Sequence, residues 1–242
     1  MNGMPHATKH LLIINVLCFF ASFALPHVGV NFDDLFGLHY WEGSSFHAYQ
    51  LVTYMFLHSG LTHIFFNMFA LFMFGQVIEN SLGAKFFTVF YFSCGIGAGV
   101  IQEFAWTYDL RPLVAEVTNF ANTDLSAGLN VHTGMVYSAG ELYAWLGQYY
   151  NQLLTVGASG AVFGLLVAFA MLFPNQPMYF MFIPVPIKAK YMMLGYALLE
   201  LFLGVKDFSG DNVAHFAHLG GAIVGAVLIF LWKKNKTQAE WQ

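Results

Sequence analysis

Four polar side chains stand in apolar stretches of the sequence, and their chemical types fit hydrolysis. His63 and Asn67 are four residues apart, so on a helix they would share one face. Ser159 stands within Gly-Ala-Ser-Gly, and His218 is followed by glycines three and seven residues later. A serine hydroxyl within hydrogen-bond reach of a histidine is a nucleophile with its general base. No Asp or Glu lies within these motifs, so the catalytic unit that they predict is a Ser–His dyad.

Each of these residues also has an ordinary structural interpretation. Gly-Ala-Ser-Gly alone is mostly a helix-packing motif, and a serine in an apolar helix usually bonds back to its own helix. A histidine or asparagine in such a helix often only links two helices by a hydrogen bond. The hydrolytic interpretation therefore depends on whether the four side chains meet at one place.

The composition indicates that the elements carrying these residues cross a membrane. Only 9% of the 242 residues are charged and 58% are hydrophobic, whereas a soluble domain has about 25% charged residues. This excludes a disordered chain, and the net charge of −4 excludes a nucleic-acid-binding protein. Cys18 and Cys94 lie in apolar runs and make neither a disulfide framework nor a zinc site. We expect an all-α, polytopic membrane helix bundle.

Six apolar stretches approach the roughly 20 helical residues that span a bilayer. They run near Leu11–Val30, Thr62–Ile78, Phe86–Trp106, Leu153–Phe173, Tyr191–Val205 and Val213–Trp232. The fifth is short and would need tilt or local thinning of the bilayer. The first also resembles a secretory signal peptide, although retention as a span is the favoured interpretation.

The basic residues predict the orientation of the spans, because Lys and Arg concentrate on the cytoplasmic side. Seven of the nine fall on the side of the N-terminus: Lys9, Lys85, Lys188, Lys190, Lys233, Lys234 and Lys236. Both termini are then cytoplasmic, and we expect a multi-pass protein of a bacterial plasma (inner) membrane. The predicted organisation is an N-terminal segment 1–10, a membrane domain 11–232 and a C-terminal tail 233–242. An extramembrane loop, 107–152, joins spans three and four and has a short helix near 139–150.

This orientation puts the four polar residues at the outer ends of spans two, four and six. Counted from the start of its predicted span at about 1.5 Å per residue, Ser159 lies about 9 Å down and His218 about 7–8 Å down. Polar groups inside a membrane are costly, so their convergence predicts a water-accessible cavity that opens outward. The small residues around Ser159 and after His218 would let these two helices approach closely.

Three motifs therefore stand in order on three predicted helices. They are His58 with His63-Ile64-Phe65-Phe66-Asn67, Gly157-Ala158-Ser159-Gly160 with Phe163, and Ala217-His218-Leu219-Gly220-Gly221 with Gly225. Together with Glu79, Gly83 and Tyr91, they resemble the rhomboid family of intramembrane serine proteases over about residues 49–232. One departure is Tyr49-Gln50, where the family commonly has Trp-Arg, so the family's usual loop-anchoring contact lacks support here.

The resemblance implies a chemical role for each residue of these motifs. Ser159 would be the nucleophile, and His218 would be the general base and acid. His63 and Asn67, with the backbone N–H of Ser159, would stabilise the oxyanion. The implied reaction is hydrolysis of peptide bonds in transmembrane substrate proteins near the outer membrane face.

Two supporting residues also follow from the resemblance. Phe163 would stack against the ring of His218, and Gly157 would let the substrate backbone approach. The bilayer and transmembrane substrates are the expected partners. Neither a nucleic acid, a metal nor an organic cofactor is expected.

Two other classes of function remain open at this point. One is a catalytically silent rhomboid-like chaperone that retains client helices, and it is disfavoured because both Ser159 and His218 are present. The other is a transporter with a polar ion path, for which the sequence lacks an inverted repeat.

Two further polar residues have no catalytic role in this interpretation. Glu200 is expected to be protonated and to form an interhelical hydrogen bond, and His215 is expected to be a residue of the rim. The fifth span and the segment 206–212 are expected to move during substrate entry. Natural substrates and oligomeric state are not predicted.

Overall fold

The computed structural model describes residues 3–122, 129–131, 135–179, 185–206 and 214–239. In chain order the elements are α1 His6–Ala24, a 3₁₀ turn Leu25–Val28, α2 Phe32–Phe36, β1 Leu38–His39, α3 Gln50–Thr53, a 3₁₀ turn Tyr54–Phe56, α4 Leu61–Ala70, a π-helical segment Leu71–Gly75, α5 Gln76–Leu82, α6 Ala84–Asn122, β2 Leu129–Val131, β3 Met135–Tyr137, α7 Ala139–Gln152, β4 Leu154–Thr155, α8 Ser159–Leu172, β5 Pro177–Tyr179, β6 Pro186–Lys188, α9 Ala189–Lys206 and α10 His215–Ala239. The strands form three antiparallel pairs, β1–β4, β2–β3 and β5–β6. Of the segment predicted to move, residues 207–212 lie outside this description.

Each predicted span overlaps a helix, and four helices within the described residues are long and apolar enough to cross a membrane. These four are His6–Val28, Leu61–Leu82, Ala84–Asn122 and His215–Lys236. The chain is therefore a mostly helical, multi-pass membrane protein. The fourth and fifth predicted spans correspond to α8, which has 14 residues, and α9, which has 18. The count of six spans stays a prediction.

The start of α8 differs from the sequence expectation. The predicted span begins at Leu153, but Leu154 and Thr155 form β4, which pairs with β1. Gly157 follows with φ +140°, and α8 begins at Ser159. The prediction that Ser159 lies about 9 Å inside a helix is therefore wrong. Ser159 stands at the first position of α8, and His218 lies in the first turn of α10.

The predicted loop 107–152 is largely helical within its described parts. α6 continues through Thr107 to Asn122, despite Pro112 inside the helix. The predicted short helix is confirmed as α7. This part of α6 packs against α7 and against the residue after β1. Together they form an apolar cluster of buried residues: Tyr40, Leu110, Val117, Leu146 and Tyr150. The extramembrane position of this region stays a prediction.

Glycines let α8 and α10 approach with only backbone between them, as the sequence predicted. A Cβ atom on Gly221 would collide with the carbonyl group of Gly160, and one on Gly225 would lie 2.9 Å from the Cα of Gly164. Because both helices begin beside this contact, it sets the distance between their first turns.

The loop before α4 is anchored by Gln50, a fully buried residue of α3. Its Oε1 accepts hydrogen bonds from the backbone N–H groups of His39 and His47, at 3.4 and 3.0 Å. Its Nε2 donates to the carbonyl of Ser45 at 3.0 Å. Gln50 thus supplies a neutral anchor for this loop.

Glu79, a buried residue of α5, holds the N-terminus of α1. Its Oε1 accepts from the backbone N–H of Ala7 at 2.9 Å, and its Oε2 accepts from the N–H and the hydroxyl of Thr8, both at 2.7 Å. A carboxylate at this position complements the positive end of the helix dipole and satisfies two N–H groups that have no partner within the helix.

Candidate active site

A cavity of about 1390 Å³ opens between the helices that carry the predicted site residues. All six of these residues line it: His63, Asn67, Gly157, Ser159, Phe163 and His218. Most of the remaining wall is apolar, with side chains such as Phe65, Leu166 and Met193. The structure thus brings the six residues to one cavity, and their catalytic roles stay predictions.

Ser159 and His218 form a hydrogen bond across the α8–α10 contact. Ser159 Oγ lies 2.8 Å from His218 Nε2. If the proton of the neutral ring is on Nδ1, then Nε2 can accept the proton of the serine hydroxyl. This is the arrangement in which a serine is activated as a nucleophile.

Phe163 limits the orientation of the His218 ring. It lies four residues after Ser159 on α8, and its ring stacks on the imidazole with centroids 4.4 Å apart and an interplanar angle of 9°. On its other side Phe163 meets Tyr196 of α9 nearly edge-on, at 6.1 Å. The stacking of Phe163 on one face of the imidazole therefore restricts the rotation of the ring.

His63 presents a hydrogen-bond donor to the cavity. Its Nδ1 accepts from the backbone N–H of Ser59 at 3.4 Å and lies 3.0 Å from the hydroxyl of the same serine. A nitrogen that accepts a hydrogen bond carries no proton, so the neutral ring has its proton on Nε2. His58 packs edge-on against this ring, with centroids 5.0 Å apart.

Gly157 keeps the space between His63 and Ser159 open. A Cβ atom there would lie 2.9 Å from His63 Nε2 and 3.5 Å from Ser159 Oγ. The φ of +140° is also a conformation that residues with a side chain rarely adopt. Its N–H donates to the carbonyl of Tyr54 at 2.9 Å, which fixes the glycine over the cavity.

Asn67 is a buried residue one turn below His63 on α4. Its Nδ2 donates to the carbonyl of His63 at 3.1 Å. An amide nitrogen has two N–H donors, so this bond uses one of them. The backbone N–H of Ser159 adds another donor, because the first N–H groups of a helix have no partner within it. These three donor groups belong to residues that line the same cavity.

Sequence reasoning missed the partners of Glu200 and His215. The prediction that His215 is a rim residue is wrong. Its side chain is only 8% exposed, and its Nδ1 is hydrogen-bonded to Glu200 Oε2 at 2.5 Å. The same carboxylate oxygen lies 3.0 Å from His218 Nδ1. Glu200 therefore links α9 to α10, as expected, but its partners are two imidazole rings. The available signals were a carboxylate in an apolar span and two histidines one helical turn apart.

Comparisons with known proteins agree with this architecture. The Rhomboid domain family matches residues 45–111 and 126–235 of the chain. The chain is 27% identical to the putative rhomboid protease YdcA of Bacillus subtilis (strain 168) over 190 residues, which is 78% of the chain and 69% of that protein. It is 28% identical to the rhomboid protease AarA of Providencia stuartii over 184 residues, which is 72% of the chain and 52% of that protein.

A plant relative extends the comparison. The chain is 23% identical to the chloroplastic rhomboid-like protein 16 of Arabidopsis thaliana over 180 residues, which is 74% of the chain and 47% of that protein. The chain thus spans about half the length of two of these three relatives and about two thirds of the other. Because the family match covers most of the chain, this protein belongs to the rhomboid family.

Proposed function

We propose that this protein is an intramembrane serine endopeptidase that hydrolyses peptide bonds of transmembrane proteins near the outer membrane face. The observation that carries the proposal is the 2.8 Å contact between Ser159 Oγ and His218 Nε2, inside a cavity formed by apolar helices. Relatives that are named rhomboid proteases support it.

In the proposed reaction, Ser159 Oγ attacks the scissile carbonyl carbon while its proton passes to His218 Nε2. The tetrahedral intermediate collapses when the histidine returns that proton to the leaving amine, and the acyl-enzyme remains. A water then gives a proton to His218 as its oxygen attacks the acyl carbon. In the second collapse the bond from the carbon to Ser159 Oγ breaks and His218 returns the proton to Oγ, which frees the carboxylic acid and restores the serine. A protonated His218 cannot accept the serine proton, so turnover should fall as the solution becomes acidic.

His63 and Asn67 are proposed to stabilise the oxyanion together with the backbone N–H of Ser159. The proton on His63 Nε2 and the open space over Gly157 support this assignment. Fixed donors in a site of low dielectric are worth about 3 kcal/mol each. Asn67→Ala should therefore reduce kcat by about 100-fold, and an unchanged kcat would make Asn67 a structural residue only.

The proposed arrangement has six spans, with both termini in the cytoplasm of a bacterial cell. The distribution of Lys and Arg supports the orientation, and the packing of α8 and α9 against the longer helices supports the count. A substrate segment would unwind locally at the cavity, because the carbonyl groups of an intact helix are hydrogen-bonded and poorly exposed to attack.

The test compares the purified wild-type protein with Ser159→Ala on a generic transmembrane substrate in detergent and in proteoliposomes. Ser81→Ala is a matched control, since Ser81 is exposed and bonds back to the carbonyl of Val77 at 2.7 Å. We expect cleavage by the wild type and the control but not by Ser159→Ala. A fluorophosphonate probe should label the same two proteins. Equal cleavage by Ser159→Ala would refute the assignment of the nucleophile.

A further inference from the structure

We propose that Glu200 and His215 extend the Ser159–His218 pair into a chain of four side chains. In this chain the carboxylate of Glu200 fixes the ring of His218, and His215 fixes the carboxylate. Both are positioning residues, because neither needs to touch the substrate. The inference rests on the proposed function and goes beyond the Ser–His dyad expected from the sequence.

The first step is the position of the carboxylate between two rings of α10. Glu200 is buried on α9, and its Oε2 lies 2.5 Å from His215 Nδ1 and 3.0 Å from His218 Nδ1. The rings of His215 and His218 are nearly perpendicular, at 87°, with centroids 6.4 Å apart. One oxygen atom is therefore within hydrogen-bond distance of both imidazoles.

The second step is the tautomer of His218. Its Nε2 faces the serine hydroxyl at 2.8 Å and must carry a lone pair to accept that proton. The proton of the neutral ring is then on Nδ1, the nitrogen that faces Glu200. A carboxylate is an acceptor only, so it favours this tautomer and stabilises the imidazolium that forms during attack.

The third step is the alignment of this contact. His218 Nδ1 is a buried atom that has no aligned hydrogen-bond partner among the described residues, although Glu200 Oε2 is only 3.0 Å away. The oxygen lies off the N–H direction while it bonds to His215. At 3.0 Å the negative charge of the carboxylate still favours a positive charge on the His218 ring, so Glu200 can stabilise the imidazolium while it stays bonded to His215.

A metal ion is a poorer explanation of the same cluster. The ligand-type atoms of Glu200, His215 and His218 lie within 4.8 Å of one another. Two ligands on one tetrahedral zinc ion, with bonds of about 2.0–2.1 Å, lie about 3.3 Å apart. The 2.5 Å between Glu200 Oε2 and His215 Nδ1 is shorter than that and belongs to a direct hydrogen bond.

The kinetic test uses the full-length protein in detergent and compares wild type, Glu200→Gln and Glu200→Asp. Glu79→Gln is the matched control, since Glu79 is also buried, but its side-chain hydrogen bonds among the described residues all come from donors of α1. Because an amide can donate to Nδ1 and favour the wrong tautomer, Glu200→Gln should lower kcat by about 100-fold to 10⁴-fold with little change in KM. The kcat of Glu200→Asp should be at least about tenfold higher than that of Glu200→Gln, and Glu79→Gln should keep the wild-type kcat.

The second measurement reads the tautomer in the wild-type protein and does not depend on catalysis. Nitrogen NMR of the wild-type protein with ¹⁵N-labelled histidine should show the neutral His218 ring protonated on Nδ1, with Ser159→Ala and His218→Asn used to assign the signals. A neutral ring protonated on Nε2 in the wild type would overturn the proposal.

The remaining outcomes separate the two proposals. A wild-type protein that neither cleaves nor reacts with the fluorophosphonate probe would refute the protease, whereas the NMR measurement would still test the contact of Glu200 with His218. If Glu200→Gln cleaved the substrate as fast as the wild-type protein, the positioning role of Glu200 would be overturned. Turnover lost with a chelator and restored by Zn²⁺ would overturn it in favour of a metal site.

Discussion

Two buried glutamates at different places in the bundle show how partners decide the role of a carboxylate. Glu79 is 4% exposed and Glu200 is 8% exposed, so burial does not distinguish them. Glu79 accepts from two backbone N–H groups and a hydroxyl, which keep their protons at any pH where the protein is folded. Glu200 instead faces two imidazole rings, whose nitrogens can either donate or accept a hydrogen bond. The first arrangement holds a helix, and the second can respond to proton transfer.

The largest expected effect lies at the Glu200 end of this comparison. His218→Ala removes the base, and loss of one member of a nucleophile–base pair lowers kcat by about 10⁶-fold in a comparable serine protease. His27→Ala is the control, because His27 is exposed and its Nδ1 contacts only the carbonyl of Phe23, at 3.1 Å. If His218→Ala cleaved the substrate as fast as His27→Ala, His218 would not be the base, and the functional role that distinguishes Glu200 from Glu79 would be refuted.

The next effect tests whether the space beside Ser159 matters as much as its partners. Gly157→Ala would place a methyl group 2.9 Å from the ring of His63, at a φ that alanine rarely adopts. A displacement of about 1 Å in a reaction site can lower the rate by about 100-fold. We expect a loss of that size in kcat/KM, measured on the transmembrane substrate. Gly140→Ala is the control, because nothing lies within 4 Å of a Cβ atom there.

A smaller effect, on stability alone, should come from the Glu79 end. Glu79→Gln replaces charge-assisted hydrogen bonds to the start of α1 by weaker ones. We expect it to lower the free energy of unfolding by about 2 kcal/mol, seen as a lower melting temperature in detergent. Turnover per folded molecule should not change. A loss of turnover without a loss of stability would show that the two glutamates do not differ as described.

The smallest effect concerns a third carboxylate, which is exposed at the start of α7. Glu141 accepts from the N–H and the hydroxyl of Ser138, both at 2.8 Å, in the cap of α7. These hydrogen bonds lower the pKa of Glu141. Its stabilisation is therefore present above the unfolded-state pKa of about 4.3 and is lost as the pH falls through the lower folded-state value.

Hydrogen exchange of the first turn of α7 measures this loss. Protection should fall between neutral pH and about pH 3 in the wild type, but should change little in Glu141→Gln. Equal pH dependence in both proteins would show that the cap does not depend on the charge. Turnover at neutral pH should be the same in both.

Much of the fold was predictable because apolar length and small-residue spacing are local properties of a sequence. The six predicted spans overlap helices, and the spacing of Gly221 and Gly225 correctly indicated the contact with α8. The start of α8 was not predictable, because β4 forms by pairing with β1, more than a hundred residues earlier. The helical continuation of α6 likewise depends on its packing with α7.

The candidate site divides in the same way. Ser159, His218, His63 and Asn67 could be grouped from sequence because each stands in a recognisable short motif. Glu200 could not be joined to them, since the rotation of α9 about its own axis is set by packing and not by any motif. His215 was misplaced for a related reason: its exposure depends on which side of α10 meets α9.

The backbone contact between Gly160 and Gly221 limits how the catalytic rate can be changed by mutation. In most enzymes the separation of nucleophile and base can be adjusted by repacking side chains between their elements. Here there are no such side chains: a larger residue at position 221 would push α10 away from the backbone of α8 and separate the two reacting groups, and one at position 160 would press on Ala98 of α6 and displace α8. Gradual tuning would instead have to come from residues that orient the imidazole, and a directed-evolution experiment should gain variants there while positions 160 and 221 remain glycine.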